Sequence, residues 1–465
     1  MYYEAMLKEV LGGQAIRGPS MKNEPAFYRC LEQSMDVARE KYALTTLKPR
    51  WDDSVLDLTT SDFLSLSRSG RIREAFQTEL ASRGDFRLSA SGSRTQYGNY
   101  DYLLEVEEEV AAFHRSETAW ICHSGLLANM GVLEAIPLPG DAIVWDELSH
   151  ASTSLGLRLS VAAHKISFQH NSADSLRNVL TSLKDADPAF TTGTRSVLIC
   201  VESVYSMEGD ICPLREFVEL AKELFPAGNA QFIIDEAHSS GMLGPKGAGL
   251  VQQLGLEKEI AIRVHVCSKA LGATGGVILC NKTVRSALVN SARSLTYSGA
   301  PSVPMIASIR AGYQLLMRGE TQKQQGQVQQ IVKYFFEAIM AHPVWEEAMD
   351  EGLISVPLAE DWELRPFHSH IVPLKLRRGH EHFLFVHLAM ANMNAYAISY
   401  PVVPKGTGII RLVFHAHNTT KEIDRLLDSV GDWAQEMLDI ERGESKNALP
   451  SAARRAYSMQ PSLLK

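Results

Sequence analysis

The stretch Val266-Cys267-Ser268-Lys269-Ala270-Leu271-Gly272-Ala273-Thr274-Gly275-Gly276 decides the fold when it is set beside Ile233-Ile234-Asp235-Glu236-Ala237-His238. A single lysine stands in a small-residue, glycine-rich turn directly after an apolar strand. An aspartate ends another apolar strand about 34 residues earlier, a spacing typical of successive strand–helix units. A lysine so placed can form a Schiff base, and an aspartate so placed can hold a pyridinium nitrogen. Together they point to pyridoxal 5'-phosphate (PLP) chemistry.

A strand–helix rhythm surrounds these two stretches. Val55 to Leu58 alternates like a short strand, and Tyr102 to His114 has the apolar spacing of a helix, with Leu103, Val106, Val110 and Phe113 on one face. Strands are predicted at Thr118–Cys122, Ala142–Trp145, Ser196–Val201, Gln231–Ile234, Ile262–Val266 and Gly276–Leu279, and helices at Leu126–Ile136 and Leu214–Leu224. Continuous apolar strands alternating with helices imply a mainly parallel sheet covered on both faces. Polar residues at the carboxyl ends of such strands line the ligand crevice. A break at Gly299–Pro304 is followed by one long predicted helix, Pro304 to Ala341. Beyond it come strands at His370–Leu376, Ala395–Val402 and Ile409–Phe414 and helices at His380–Asn392 and Lys421–Ile440. The division expected is an N-terminal arm (1–54), a large PLP-binding domain (55–300), a linking helix with a C-terminal α+β small domain (301–440), and a polar, loosely ordered tail (441–465).

Bulk properties narrow the function classes. The chain has 465 residues, 45% of them hydrophobic, and a net charge of −8, which argues against a nucleic-acid binder. The six cysteines form no CxxC pair, and several lie in apolar runs, so a reducing, cytoplasmic setting is expected. The N-terminus lacks a signal-peptide core. The longest apolar region, Phe383 to Val403, is interrupted by His387, Asn392 and Asn394 and reads as helix then strand, not as a membrane span. His368, His370, His382 and His387 show no HExxH spacing, and no metal site is expected.

Other residues join the lysine and the aspartate. Asp235 would keep the pyridine nitrogen protonated by a charge-assisted hydrogen bond; the bland alternative is a helix N-cap. His238, three residues on, is placed at the cofactor's phenolic oxygen. His150, after the strand end at Asp146, is placed against the pyridine ring and as an acid/base group. Ser124-Gly125-Leu126 opens a helix whose N-terminus favours a phosphate. Tyr297-Ser298-Gly299 offers a hydroxyl on a turn. Arg411, in the apolar strand Ile409–Val413, is either half of an internal salt bridge or a clamp on a substrate carboxylate.

These motifs, in this order, resemble the α-oxoamine synthase family of fold-type-I PLP enzymes. The resemblance runs from Val55 to Leu427. It is carried by Ser91-Gly92-Ser93-Arg94 with Gly98-Asn99, by Asp146 to His150, by Glu202 to Asp210, by Asp235 to Gly241, by Ser268 to Gly272, and by Val403 to Arg411. It implies an aspartate aminotransferase-like large domain and a C-terminal small domain. It implies that Lys269 carries the cofactor with Ser268 beside it, that Asp235 partners the pyridinium, that His150 stacks on the ring and that His238 lies near the phenolic oxygen. Glu202 and Ser203 match a pair that orders the cofactor site, and Asn99 and Arg411 go with the substrate. Ser298 matches a hydroxyl reaching the phosphate of a neighbouring subunit, hence a homodimer with shared active sites. The activity implied is decarboxylative condensation of an amino acid with an acyl thioester, presented by CoA or a carrier protein, to give an α-amino ketone. The rival readings are transamination or simple decarboxylation on the same scaffold, and a non-catalytic partner subunit. The sequence departs from the family at Val266, where Thr is common, at Leu126, at Tyr100 and at Asp62-Phe63-Leu64-Ser65.

Overall fold

The computed structural model describes residues 2–41, 43–47, 54–400 and 402–463. Its strands, in chain order, are β1 (Leu56–Asp57), β2 (Thr118–Cys122), β3 (Ala142–Asp146), β4 (His164–Phe168), β5 (Val197–Glu202), β6 (Ala230–Asp235), β7 (Ile262–Val266), β8 (Gly276–Cys280), β9 (Ile354–Ser355), β10 (Ile371–Leu376), β11 (Met393–Asn394), β12 (Tyr396–Ile398) and β13 (Gly408–Val413). Seven of them form one sheet in the order β2-β8-β7-β6-β5-β3-β4. β3 to β7 pair in parallel, and β8 runs antiparallel to both its neighbours, β2 and β7. The mainly parallel α/β class read from the sequence is the class observed.

The sheet is sandwiched because its strands are apolar on both faces. Ile199, Val201 and Ile234 join one buried layer, while Leu198, Cys200 and Ile233 join the other. Strand order reverses between β3 and β5, the topological switch point at which open parallel sheets bind ligands. Asp146, Glu202 and Asp235 all stand at carboxyl ends beside it.

A second sheet, β12-β13-β10-β9, is antiparallel and carries Arg411 in β13. β1 pairs not with the large sheet but with β11. The segment after β1 continues against the C-terminal part of the chain: the Val413 N–H donates to Leu58 O at 2.9 Å and the Ala416 N–H to Phe63 O at 2.9 Å. The loop holding Asn99 is tied into the large unit by a buried pair in which Arg94 meets Glu107 in a bidentate contact (Nη2 to Oε2, 2.9 Å). Glu107 also accepts from the Ile121 N–H at 2.7 Å and pairs with Arg285 at 3.0 Å.

Three expectations need correction, and one strand was not foreseen. The single helix from 304 to 341 is two, Val303–Met317 and Gln322–Met340, because Gly319 at φ 73° ends the first. The strand expected over 395–402 is only Tyr396–Ile398. The tail contains a helix, Ser451–Leu463, which buries Ala452 and Ala453. β4 escaped prediction. It is an edge strand with alternating exposure, and the ammonium of Lys165 on it donates to Leu157 O and Ser160 O at 2.7 and 2.8 Å, a lysine-bearing edge of the kind that resists pairing with another chain.

Replacing Glu107 by Gln should leave the buried Arg94 charge without its partner. A loss of about 3–5 kcal/mol is expected, read as a marked fall in Tm and as proteolytic opening of the 88–100 loop before the rest of the chain.

Candidate active site

Glu202 and Asp235 are register partners on adjacent parallel strands, so two carboxylates end side by side. Each is held separately. Asp235 Oδ1 accepts the Ala237 N–H at 2.8 Å, and Oδ2 accepts the amide of Asn129 at 2.7 Å. Glu202 accepts the backbone N–H of His150. Burial, reinforced by the neighbouring Asp235 charge, pushes the Glu202 carboxyl up from its ordinary 4.5 to about 8.

Lys269 follows β7, and its Nζ lies 2.8 Å from His238 Nε2. Burial lowers the amine from its ordinary value, against the opposing pull of Asp235 and Glu202. A neutral amine is the nucleophile a Schiff base requires. His238 is buried between Lys269 and the ring of Phe63, whose centroid is 5.8 Å away; beyond Phe63 stands His370, at 3.9 Å from it. Burial holds both histidines well below the ordinary imidazole value. Arg411 reaches the same cluster from β13, with Nη1 donating to Ser206 O at 3.3 Å.

His150 caps the helix Ala151–Leu159, its Nδ1 accepting the Ser152 N–H at 3.1 Å. The neutral ring therefore carries its proton on Nε2. Ser152 Oγ lies 2.8 Å from the same Nδ1 and accepts from Asn129 at 3.1 Å. One chain of hydrogen bonds thus joins His150, Ser152, Asn129 and Asp235. Asn129 and Ser152 were not singled out from the sequence. The available signal was Asn129 itself, an amide inside the otherwise apolar run Gly125–Val132.

Ser124 caps the helix Gly125–Ala135, its Oγ accepting the Leu127 N–H at 3.2 Å. Gly125 and Gly276 make a cradle beside the lysine turn. A Cβ on Gly125 would fall 2.2 Å from Val266 Cγ2, and one on Gly276 would fall 2.6 Å from Ser124 O. Val266, in the family's threonine position, thus packs over Gly125 and offers no hydroxyl. Leu126 presents its side chain to solvent in the first helical turn.

Three further residues named from the sequence have these surroundings. Ser203 is fully buried beneath the site, its Oγ 2.8 Å from Ser239 Oγ and 3.1 Å from Asp235 O, so it braces the turn rather than facing a ligand. Asn99 spends both ends of its amide on Arg94, at 3.0 and 2.7 Å. Ser298 lies exposed on a turn whose next residue, Gly299, bridges Ser93.

Two cavities flank this cluster. One, of about 680 Å³, is polar and lined by Asp57, Asp62, Arg68, Ser268 and Lys269. The other, of about 640 Å³, is more apolar and lined by His150, Ser154, Met207, Tyr400, Val403 and Pro404. His238 Nδ1, His370 Nε2 and Arg411 Nε are buried and have no hydrogen-bond partner among the described residues. Unpaired buried polar atoms are costly. Placed beside an amine, a carboxylate and a glycine cradle at a helix N-terminus, they fit PLP with a carboxylate-bearing substrate.

Comparison with known proteins agrees. The family model for aminotransferase class I and II matches residues 53–430. The chain is 46% identical over 448 residues to the aminoacyl transferase sphA of Aspergillus fumigatus, covering 96% of this chain and 95% of the relative. It is 41% identical over 385 residues to the 8-amino-7-oxononanoate synthase of Emericella nidulans, covering 83% and 90%. In fold it is similar to the serine palmitoyltransferase of Sphingomonas wittichii, with a TM-score of 0.67, 23% identity and coverage of 81% and 86%. The chain belongs to the aminotransferase class I and II family. Within that family it is an α-oxoamine synthase, a PLP-dependent transferase.

The raised carboxyl of Glu202 has a pH signature. Its proton is held more tightly folded than unfolded, so the apoprotein should lose stability as pH rises through 8. Melting curves of the apoprotein between pH 6 and pH 9 should show a decline that Glu202→Gln flattens.

Proposed function

We propose that this chain catalyses decarboxylative condensation of an amino acid with an acyl thioester, with Lys269 at the centre of the reaction. The observation that carries the reading is the approach of Lys269 Nζ to His238 Nε2 inside a cluster that also holds Asp235, Glu202 and Arg411. The relatives just described, an aminoacyl transferase and an 8-amino-7-oxononanoate synthase, support it.

Lys269 would hold PLP as a Schiff base, with Asp235 at the ring nitrogen, His150 against the ring, His238 at the phenolic oxygen and the Ser124–Leu126 turn at the phosphate. When bound, the cofactor supplies an electron sink for charge developing at the substrate α-carbon. The chain's own groups do the rest. Asn129 and the Ala237 N–H orient Asp235, which would face the ring nitrogen. Arg411, half-buried and still partly unpaired, holds the amino acid's carboxylate by charge-assisted hydrogen bonds. Freed from its covalent role, the Lys269 amine takes the α-proton and later returns one. His150, with its proton on Nε2, donates to the thioester carbonyl as charge builds on that oxygen. The apolar cavity beside His150 takes the acyl chain. Loss of CO2 from the acylated product leaves the α-amino ketone.

We place the working enzyme as a homodimer. Tyr97 and Tyr297, 92% and 77% exposed, flank the Ser93–Gly299 bridge that also carries Ser298, and a second copy would bury them. We also place it in the cytoplasm, consistent with six free cysteines of which five are buried. Among the described residues, no helix is long and apolar enough to cross a membrane.

Borohydride reduction of the PLP-loaded protein followed by peptide mapping should leave the pyridoxyl group on Lys269. A label on any other lysine overturns the assignment. Lys269→Ala should lose the absorption near 420 nm and all CO2 release from amino acid and thioester. Arg411→Lys should raise the amino-acid KM roughly 30-fold, the equivalent of about 2 kcal/mol for the lost charged hydrogen bond, with a smaller change in kcat.

A further inference from the structure

His170 lies just beyond β4, in a turn to which no role has so far been given. Its Nδ1 is 2.9 Å from Asp146 Oδ1, and its Nε2 is 2.8 Å from Asp210 Oδ2. The next residue repeats the bridge. The Asn171 N–H donates to Asp146 Oδ2 at 2.8 Å, and its amide donates to Asp210 Oδ2 at 2.8 Å. Asn171 adopts a left-handed backbone, φ 49°, to make both contacts. Such a conformation costs energy and persists where surroundings demand it.

The two carboxylates belong to two different pieces of the site. Asp146 ends β3 and opens the loop 146–150, which finishes in His150. It also accepts the Leu148 N–H at 2.9 Å, shaping that loop. Asp210 closes the turn 205–210, a hairpin in which the Tyr205 N–H donates to Asp210 O at 3.1 Å. That turn presents the Ser206 carbonyl on which Arg411 rests. It also supplies Met207 and Glu208 to the cavity beside His150.

A neutral imidazole has only one N–H and can satisfy only one of these carboxylates as a donor; the imidazolium satisfies both. The groups facing the ring favour the cation. They are Asp146 and Asp210; the ring of Tyr205 stands perpendicular at 4.5 Å and the Asn171 amide nitrogen lies 3.5 Å from Nε2, while Glu147 accepts the His170 backbone N–H at 3.1 Å and the buried Cys212 thiol lies near both aspartates. The ring is 18% exposed. Burial works against the charge, but the two aspartates prevail and push the imidazole up to about 10.

We propose that His170 is a positioning residue for amino-acid binding: as an imidazolium it clamps the His150 loop to the 205–210 turn and so fixes the carbonyl that aims Arg411. The proposal rests on the reading of Arg411 as the carboxylate clamp. It gives a structural turn a direct influence on substrate affinity without any contact to substrate.

The test uses the PLP-loaded enzyme, with His170→Gln and Asp210→Asn made singly and together. Imidazole nitrogen chemical shifts of the wild type at pH 8 should report a doubly protonated ring for His170; a neutral ring overturns the clamp. Hydrogen exchange in segments 146–150 and 205–210 should speed at least tenfold in His170→Gln, with β5 unchanged. The amino-acid KM should rise about tenfold with kcat within threefold. Asp210→Asn should give the same split, and the double variant should be no worse than either single one. An unchanged KM, or a parallel fall of kcat and active fraction with KM constant, overturns the positioning role and leaves a brace for folding. Independent additive losses in the double variant also overturn it. A wild type that condenses no amino acid with any thioester refutes the function proposed above, whereas unchanged exchange in both segments refutes the clamp itself.

Discussion

Two carboxylates brought side by side at the ends of adjacent strands are the constraint around which the site is built. Parallel pairing puts Glu202 next to Asp235, and like charges in a buried crevice repel strongly. The protein resolves this by giving the two groups different neighbours. Asp235 receives two N–H donors and remains the acceptor for a cationic partner. Glu202 receives one donor from the backbone, and burial holds its proton up to about pH 8. The asymmetry lets one carboxylate serve as an electrostatic anchor while the other fixes the loop that carries His150.

The amine at 269 completes this arrangement. It is half-buried, it faces a histidine whose burial holds it well below the ordinary imidazole value, and its remaining electrostatic surroundings pull in opposite directions. Such balance favours an amine that is alternately nucleophile, covalent anchor and proton carrier. The aromatic column formed by His238, Phe63 and His370 connects the large sheet to the C-terminal sheet at the point where Arg411 enters. The Lys269 side of the crevice and the Arg411 side therefore meet through packed rings.

Much of this was legible in the sequence because the physics is local. Lys269, Asp235, His150 and Glu202 each follow an apolar run whose end marks a strand terminus, and such termini converge in a parallel sheet. Asn129, Ser152 and His170 were not legible, because each acts through partners distant along the chain. The Asn129 amide has no visible purpose until β6 brings Asp235 beside it. β4 was missed because His164-Lys165-Ile166-Ser167-Phe168 is a half-exposed edge without the apolar continuity of its neighbours. The break at Gly319 was present as a glycine at the end of a helical pattern, but the apolar periodicity resumes so soon afterwards that one helix seemed sufficient. The tail helix rests on two buried alanines, too little apolar surface to stand out. Ser203 was recognisable by its motif, but not the inward turn of its hydroxyl towards Ser239 and the Asp235 carbonyl.

The pairing of β1 with β11 has a consequence for how the molecule is made. Thr59 Oγ1 donates to Asn394 O at 2.6 Å across 335 residues of chain. A ribosome working at roughly 5–20 residues per second needs on the order of half a minute to supply the second partner after the first has emerged. During that interval Leu56 and Leu58, buried in the finished protein, lack the strand beside which they end, and Phe63 has His238 but not yet His370. The last third of the polypeptide is thus the fastener for a segment made near its beginning.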